Sequence, residues 1–142
     1  MSTEENKAID RRVTEEGWNQ GNIALFDEFF TADFIGHDPF GPVHGPEGFK
    51  QFYATYRSAF PDTHLIIEDE IAEGDMVVSR YTARGTHQGE LQGIPPSGKR
   101  VTITGTTIIR YASGKAAEAW YEYDALGMLQ QIGAIPIPGQ AS

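Results

Sequence analysis

Apolar positions along the chain change period twice. Between residues 4 and 20 they are sparse, with Ile9, Val13 and Trp18 forming a thin stripe among helix formers. Ser2 followed by Glu5 is a capping-box spacing, so the first helix is expected over about 4–20 and lies across a surface, interrupted by Gly17 and Gly21. Asn22 then precedes a short amphipathic run, Ile23 to Phe26 with Phe29 and Phe30, read as a second helix ending near Thr31. From Phe34 to Pro42 glycine and proline break the helical pattern and force a strand followed by a loop. Gly45-Pro46-Glu47 opens the clearest helix, in which Phe49, Phe52, Tyr53 and Tyr56 recur at i, i+3, i+4 and i+7, and Pro61 ends it.

From His64 onward the period is that of strands. His64–Ala72 and Met76–His87 flank a Glu73-Gly74-Asp75 turn. A Gly/Pro-rich loop over 88–98 leads to Arg100–Tyr111, which is joined through Ser113-Gly114 to Ala116–Tyr123. The expectation is a four-stranded antiparallel meander, then a short helix around Leu126–Ile132 ending at Gly133, and a tail over 134–142. Helices first and a long sheet afterwards make one α+β domain, with the helices on one face and a small-molecule pocket between.

Charge and composition narrow the partners. With 20 acidic against 11 basic residues and a net charge of −9, the chain repels phosphate backbones, and nucleic acid is excluded as a partner. No apolar run reaches the length of a membrane span, and the acidic residues among the first twenty argue against a signal or transit peptide, so a cytoplasmic protein without membrane contact is expected. Cysteine is absent, which removes disulfides, thiolate nucleophiles and cysteine-based metal sites. The four histidines and the acids near them match no compact ligand spacing, so no metal site is expected.

Four phrases carry a family resemblance: His37-Asp38-Pro39 with Gly45-Pro46-Glu47-Gly48-Phe49; Arg84-Gly85-Thr86-His87-Gln88-Gly89; Gly93-Ile94-Pro95-Pro96-Ser97-Gly98-Lys99; and Glu118-Ala119-Trp120 leading to Asp124 and the stretch up to Gly133. Over roughly residues 5–133 the chain resembles the SnoaL-like polyketide cyclase, or ester cyclase, family of the NTF2-like superfamily. The resemblance implies a cone-shaped α+β barrel, N-terminal helices on a curved antiparallel sheet. It also implies an intramolecular aldol ring closure that uses neither cofactor nor metal, in which a pocket aspartate removes an acidic proton and polar groups stabilise the enolate. The aspartate of that family falls at or beside Tyr121, with Asp124 three residues later. Strand parity puts Glu118, Trp120 and Glu122 on one face and Ala119, Tyr121 and Tyr123 on the other, and a shift of one residue exchanges them.

The proposed catalytic set is therefore Asp124, Glu118, His37 and His87. Asp124 is either a base at the pocket mouth or the N-cap of the last helix. Glu118 is either a buried acid or a partner of Arg80 or Arg84. His37 either lines the pocket or bonds its own loop, and His87 stands at the rim or supports structure. Trp120, Tyr121, Phe52, Tyr53, Tyr56 and Arg80 are the expected substrate contacts, for an aromatic or polyketide-like molecule; an aromatic stripe at this spacing is equally a core. Other readings of the same pocket are a non-catalytic ligand carrier and an isomerase, hydrolase or dehydratase. The β-branched face of Thr102, Thr104, Thr106 and Ile108 suits a homodimer.

Overall fold

A computed structural model describes residues 1–136 and 139. Its elements are α1 (Thr3–Arg12), a π-helix (Val13–Asn19), α2 (Ala24–Phe29), β1 (Phe30–Asp38), β2 (Gly41–His44), α3 (Gly45–Ala59), β3 (His64–Glu73), β4 (Met76–Thr86), β5 (Arg100–Ala112), β6 (Lys115–Tyr123) and α4 (Ala125–Gln131). The strands form one open sheet in the order β2-β1-β6-β5-β4-β3. The expected meander is present as β3 to β6, all antiparallel. It is extended by two strands: β1 joins β6 in parallel and β2 folds back on β1, so the sheet is mixed rather than purely antiparallel. The tail expected over 134–142 lies largely outside the described residues.

Three local departures have physical causes. The first helix does not run unbroken to residue 20; it widens into a π-helix after Arg12, and Gly17 lies so close to Phe26 that a Cβ there would sit 2.9 Å from the ring. Phe30 leaves the helix and starts β1 with extended backbone, φ −116° and ψ 141°, because its ring is wanted in the sheet-side core beside Phe34 and Phe49. The strand expected to end at His87 ends at Thr86, after which His87 is held in the following loop. The capping box is present, with Ser2 Oγ accepting from Glu5 N–H and Glu5 accepting from Ser2 N–H.

The helices cover one face of the sheet, and the core between them is aromatic. Phe26 is fully buried among Phe30, Phe49 and Tyr53, in edge-on and tilted contacts 4.8 to 5.9 Å between ring centroids. A second cluster, Ala59, Phe60, Leu91, Val101, Met128 and Ile132, closes the other end. Ile9, Val13 and Trp18 pack onto the first cluster, so the N-terminal segment covers the core instead of merely lying on the surface. No helix among the described residues is long and apolar enough to cross a membrane.

Candidate active site

Strand parity decides what faces the helices. On β4 the inward positions are Val77, Ser79, Tyr81 and Ala83, opposite Ile109, Thr107, Gly105 and Ile103 of β5. On β6 the inward positions are Ala119, Tyr121 and Tyr123. A cavity lies between this face and the helices, bounded by apolar side chains from both layers. The centre of a water molecule can move through about 160 Å³ of it, whereas one water needs only about 10–15 Å³ by the same measure.

Tyrosines supply most of its polarity. Tyr56, Tyr81, Tyr111, Tyr121 and Tyr123 all reach it. Two glycines make room for them: a Cβ on Gly36 would lie 2.7 Å from Tyr121, and one on Gly105 would collide with Tyr81. At one side Tyr56 and Tyr123 share a hydroxyl–hydroxyl hydrogen bond of 2.9 Å, and Tyr123 donates to Asp38 at 3.2 Å. Asp38 faces inward one residue after His37 and also accepts from the Phe40 N–H, while its second carboxyl oxygen is buried without a partner. Burial raises its pKa against the lowering effect of those two hydrogen bonds, with Glu122 adding to the rise.

A second polar group comes from α1. Asp10 is 6% exposed, bounds the cavity, and accepts a short hydrogen bond from Ser79 Oγ. Glu70 stands opposite Ser79 on β3 and is bonded to Arg11 at 2.5 Å. Burial first, then the Asp10 carboxyl beside it, push the Glu70 pKa from 4.5 up to about 8, with Arg11 opposing. Between those values the folded chain binds a proton that the unfolded chain releases, so this group makes stability fall as pH rises from 4.5 to about 8. Thermal melts across that window should lose part of their slope in Glu70→Gln; an unchanged slope would show that Glu70 does not hold the proton.

The expected site residues divide between the two sides of the sheet. Phe52, Tyr56 and Tyr121 bound the cavity, as does Tyr123. Tyr53 does not; it is buried against Trp18 and Phe26. His37, Glu118 and Trp120 are on the outer face, because β6 pairs with β1 in a register that turns odd-numbered β6 residues inward. There Glu118 bonds His37 at 2.8 Å and Arg110 at 3.4 Å, and His37 stacks on Trp120. His37 first, then burial in opposition and Arg110, leave the Glu118 pKa below its ordinary value.

Arg80 is on the outer face too, paired with Asp69 at 2.6 Å rather than with Glu118. Asp124 caps α4, accepting from Gly127 N–H at 2.9 Å, and borders only a shallow outer hollow with Arg80 and Glu122. His87 is fully buried away from the cavity, its Nδ1 accepting from the Ser97 N–H at 3.1 Å and its ring against Phe60. Asp10, Glu70, Ser79 and the inward Asp38 were not among the expected site residues. Among the described residues no group of three or more His, Asp or Glu is arranged to hold a metal ion.

An α+β fold with helices over one face of an open mixed sheet, and a cavity between the layers, is that of the NTF2-like class. Residues 8–132 match the model of the SnoaL-like polyketide cyclase family, and the chain belongs to that family. It is 29% identical over 129 residues to the aklanonic acid methyl ester cyclase DnrD of Streptomyces peucetius, covering 87% of each chain. It is 28% identical over 119 residues to the nogalonic acid methyl ester cyclase of Streptomyces nogalater, covering 82% of this chain and 89% of that one. A solved structure from Jannaschia Sp. CCS1, described as a candidate SnoaL-like polyketide cyclase, superposes with a TM-score of 0.87 at 29% identity, over 94% of this chain and 95% of that one.

Proposed function

We propose that the chain closes a ring in a polyketide-like β-keto ester by an aldol step run on side-chain acid/base chemistry. The observation that carries the reading is the Tyr56–Tyr123–Asp38 hydrogen-bond chain ending in an apolar cavity. A side-chain carboxylate takes a proton from a carbon between two carbonyl groups. The C–H pair becomes an enolate, whose carbon attacks a second carbonyl carbon and forms the new C–C bond. The attacked oxygen gains the displaced π pair and needs a proton where it stands.

The tyrosine chain is suited to supply that proton. Tyr123 donates to Asp38 when that carboxyl is ionised; once Asp38 carries a proton the direction reverses, Asp38 donating to Tyr123 and Tyr123 to Tyr56, and the Tyr56 hydrogen is free to point into the cavity. Burial raises the Asp38 pKa, the direction this relay requires. In surroundings this apolar, a hydrogen bond to a developing oxyanion is worth more than the same bond in water.

Aklanonic acid methyl ester and nogalonic acid methyl ester are the probes to try, because the relatives are named for them. Incubation with the purified chain should convert at least one to its ring-closed isomer, read by chromatography. A second reading, a carrier that holds such a molecule unchanged, is favoured by the family aspartate falling at or beside Tyr121; tight binding with no turnover of either ester would establish it and refute the cyclase. We propose also that the outer sheet face pairs two copies of the chain, and sedimentation of monomer alone at working concentration would refute that.

A further inference from the structure

We infer that Asp10 is the general base of this cavity, a catalytic carboxylate carried by the first helix and held in place by Ser79 and Glu70. The inference rests on the cyclase reading above and names its missing carboxylate. The inner face of β6 offers none, since Ala119, Tyr121 and Tyr123 occupy it. Glu118 and Glu122 point outward, Asp124 is engaged at a helix N-terminus, and Asp38 stands behind the Tyr123 hydroxyl. Among the described residues Asp10 is the single carboxylate on the cavity wall.

Its surroundings are built to hold a base. Ser79 donates to one oxygen of Asp10. The Glu70 side chain is 8% exposed; Arg11 binds its Oε1, and its Oε2 is buried with no donor to accept from. Glu70 stands opposite Ser79, the donor to Asp10, so the two carboxyl groups are neighbours, and neighbouring carboxyl groups are accommodated when one carries a proton. Glu70 protonated at Oε2 satisfies both: the orphan oxygen becomes a donor and Asp10 its acceptor. Tyr111 from β5 and Tyr121 from β6 both feel the charge of Asp10; Asn6, one turn earlier on the same helix, is buried too, and Arg11 is engaged by Glu70.

Apolar walls from Ile9, Val13 and Ile109 flank Asp10 on the cavity side. In the step, Asp10 gains the proton from the activated C–H and the electron pair stays on carbon as the enolate. After the C–C bond forms, Tyr56 protonates the alkoxide and is refilled through Tyr123 from Asp38, which takes a proton back from solvent. Asp10 returns its own proton to solvent before the next turnover.

The test uses methyl tetralonecarboxylate, a bicyclic aryl β-keto ester with one exchangeable carbon-bound hydrogen, in deuterium oxide with the full chain. Proton NMR should show wild-type exchange well above buffer, and Asp10→Asn should lower the accelerated part by roughly 100-fold while still binding the probe. The wild-type rate should inflect near pH 8, and Glu70→Gln, which keeps a donor to Asp10 but cannot titrate, should lose that inflection. A folded Asn variant that exchanges as fast as wild type overturns the assignment and leaves the cyclase reading standing. Exchange that depends on Asp10 without any ring closure of the polyketide esters supports the base and refutes the cyclase. If Asp10→Asn does not fold, the Glu70→Gln profile decides, and an inflection that persists overturns the assignment.

Discussion

Tyr56→Phe should slow ring closure roughly 100- to 1,000-fold, the range expected when one preorganised oxyanion donor is lost. Tyr56 is the end of the hydroxyl chain that borders the cavity, and phenylalanine keeps its ring contact with Phe52 while deleting only the oxygen. Tyr123→Phe should cost nearly as much, although its hydroxyl stands one step further back, because it alone links Tyr56 to Asp38. The double variant should be little worse than either single one, since groups that act as a unit do not add. Binding of the ester should change far less than turnover in all three. Independent, multiplying losses would show that the two hydroxyls do not form a relay.

Phe26→Ala should destabilise the fold by about 3–5 kcal/mol, as large-to-small changes at a closed aromatic core do. Phe26 is fully buried and meets Phe30, Phe49 and Tyr53, while Gly17 of the π-helix packs on its edge. The space it leaves cannot be filled by its neighbours without moving the π-helix off the sheet. Because the same ring bounds the cavity, ligand binding should weaken as well. Urea unfolding measures the first effect through a lower midpoint at unchanged slope. A loss under about 1 kcal/mol would mean that the helical layer repacks and is not a rigid lid over the cavity.

Most of the architecture was legible because it is written in local periods. The i, i+3, i+4, i+7 aromatics of α3 and the alternation in β3 to β6 each specify one element without knowledge of the rest. The parallel pairing of β1 with β6 was not legible, since residues more than eighty positions apart must meet and nothing local records it. The site was legible only in part. The tyrosines lining the cavity follow from helical spacing and strand parity, and Tyr121 faces the cavity on the side that its alternation with Glu118 and Trp120 separates.

Glu70 was hidden by a bulge. Leu65 and Ile67 face inward, so simple alternation would send Asp69 inward and Glu70 out. The register slips between Ile67 and Asp69, and from there Asp69 pairs outward with Arg80 while Glu70 stands opposite inward Ser79. Asp10 had a signal that was available: it sits between Ile9 and Val13, the apolar stripe of its helix, where a charged residue is out of pattern. His37 and Asp38 show the opposite lesson, as neighbours in one phrase that a strand sends to opposite faces.

The proposed chemistry lies inside the cavity and none of it on the outer face where Glu118, His37, Arg80 and Asp124 lie. The most direct measurement is a crystal structure of the chain with methyl tetralonecarboxylate bound. The expected density stands between α3 and β6, with the enolisable carbon within reach of Asp10 and a carbonyl oxygen at the Tyr56 hydroxyl. Density in the outer hollow bordered by Arg80, Glu122 and Asp124, with the cavity empty, would contradict it.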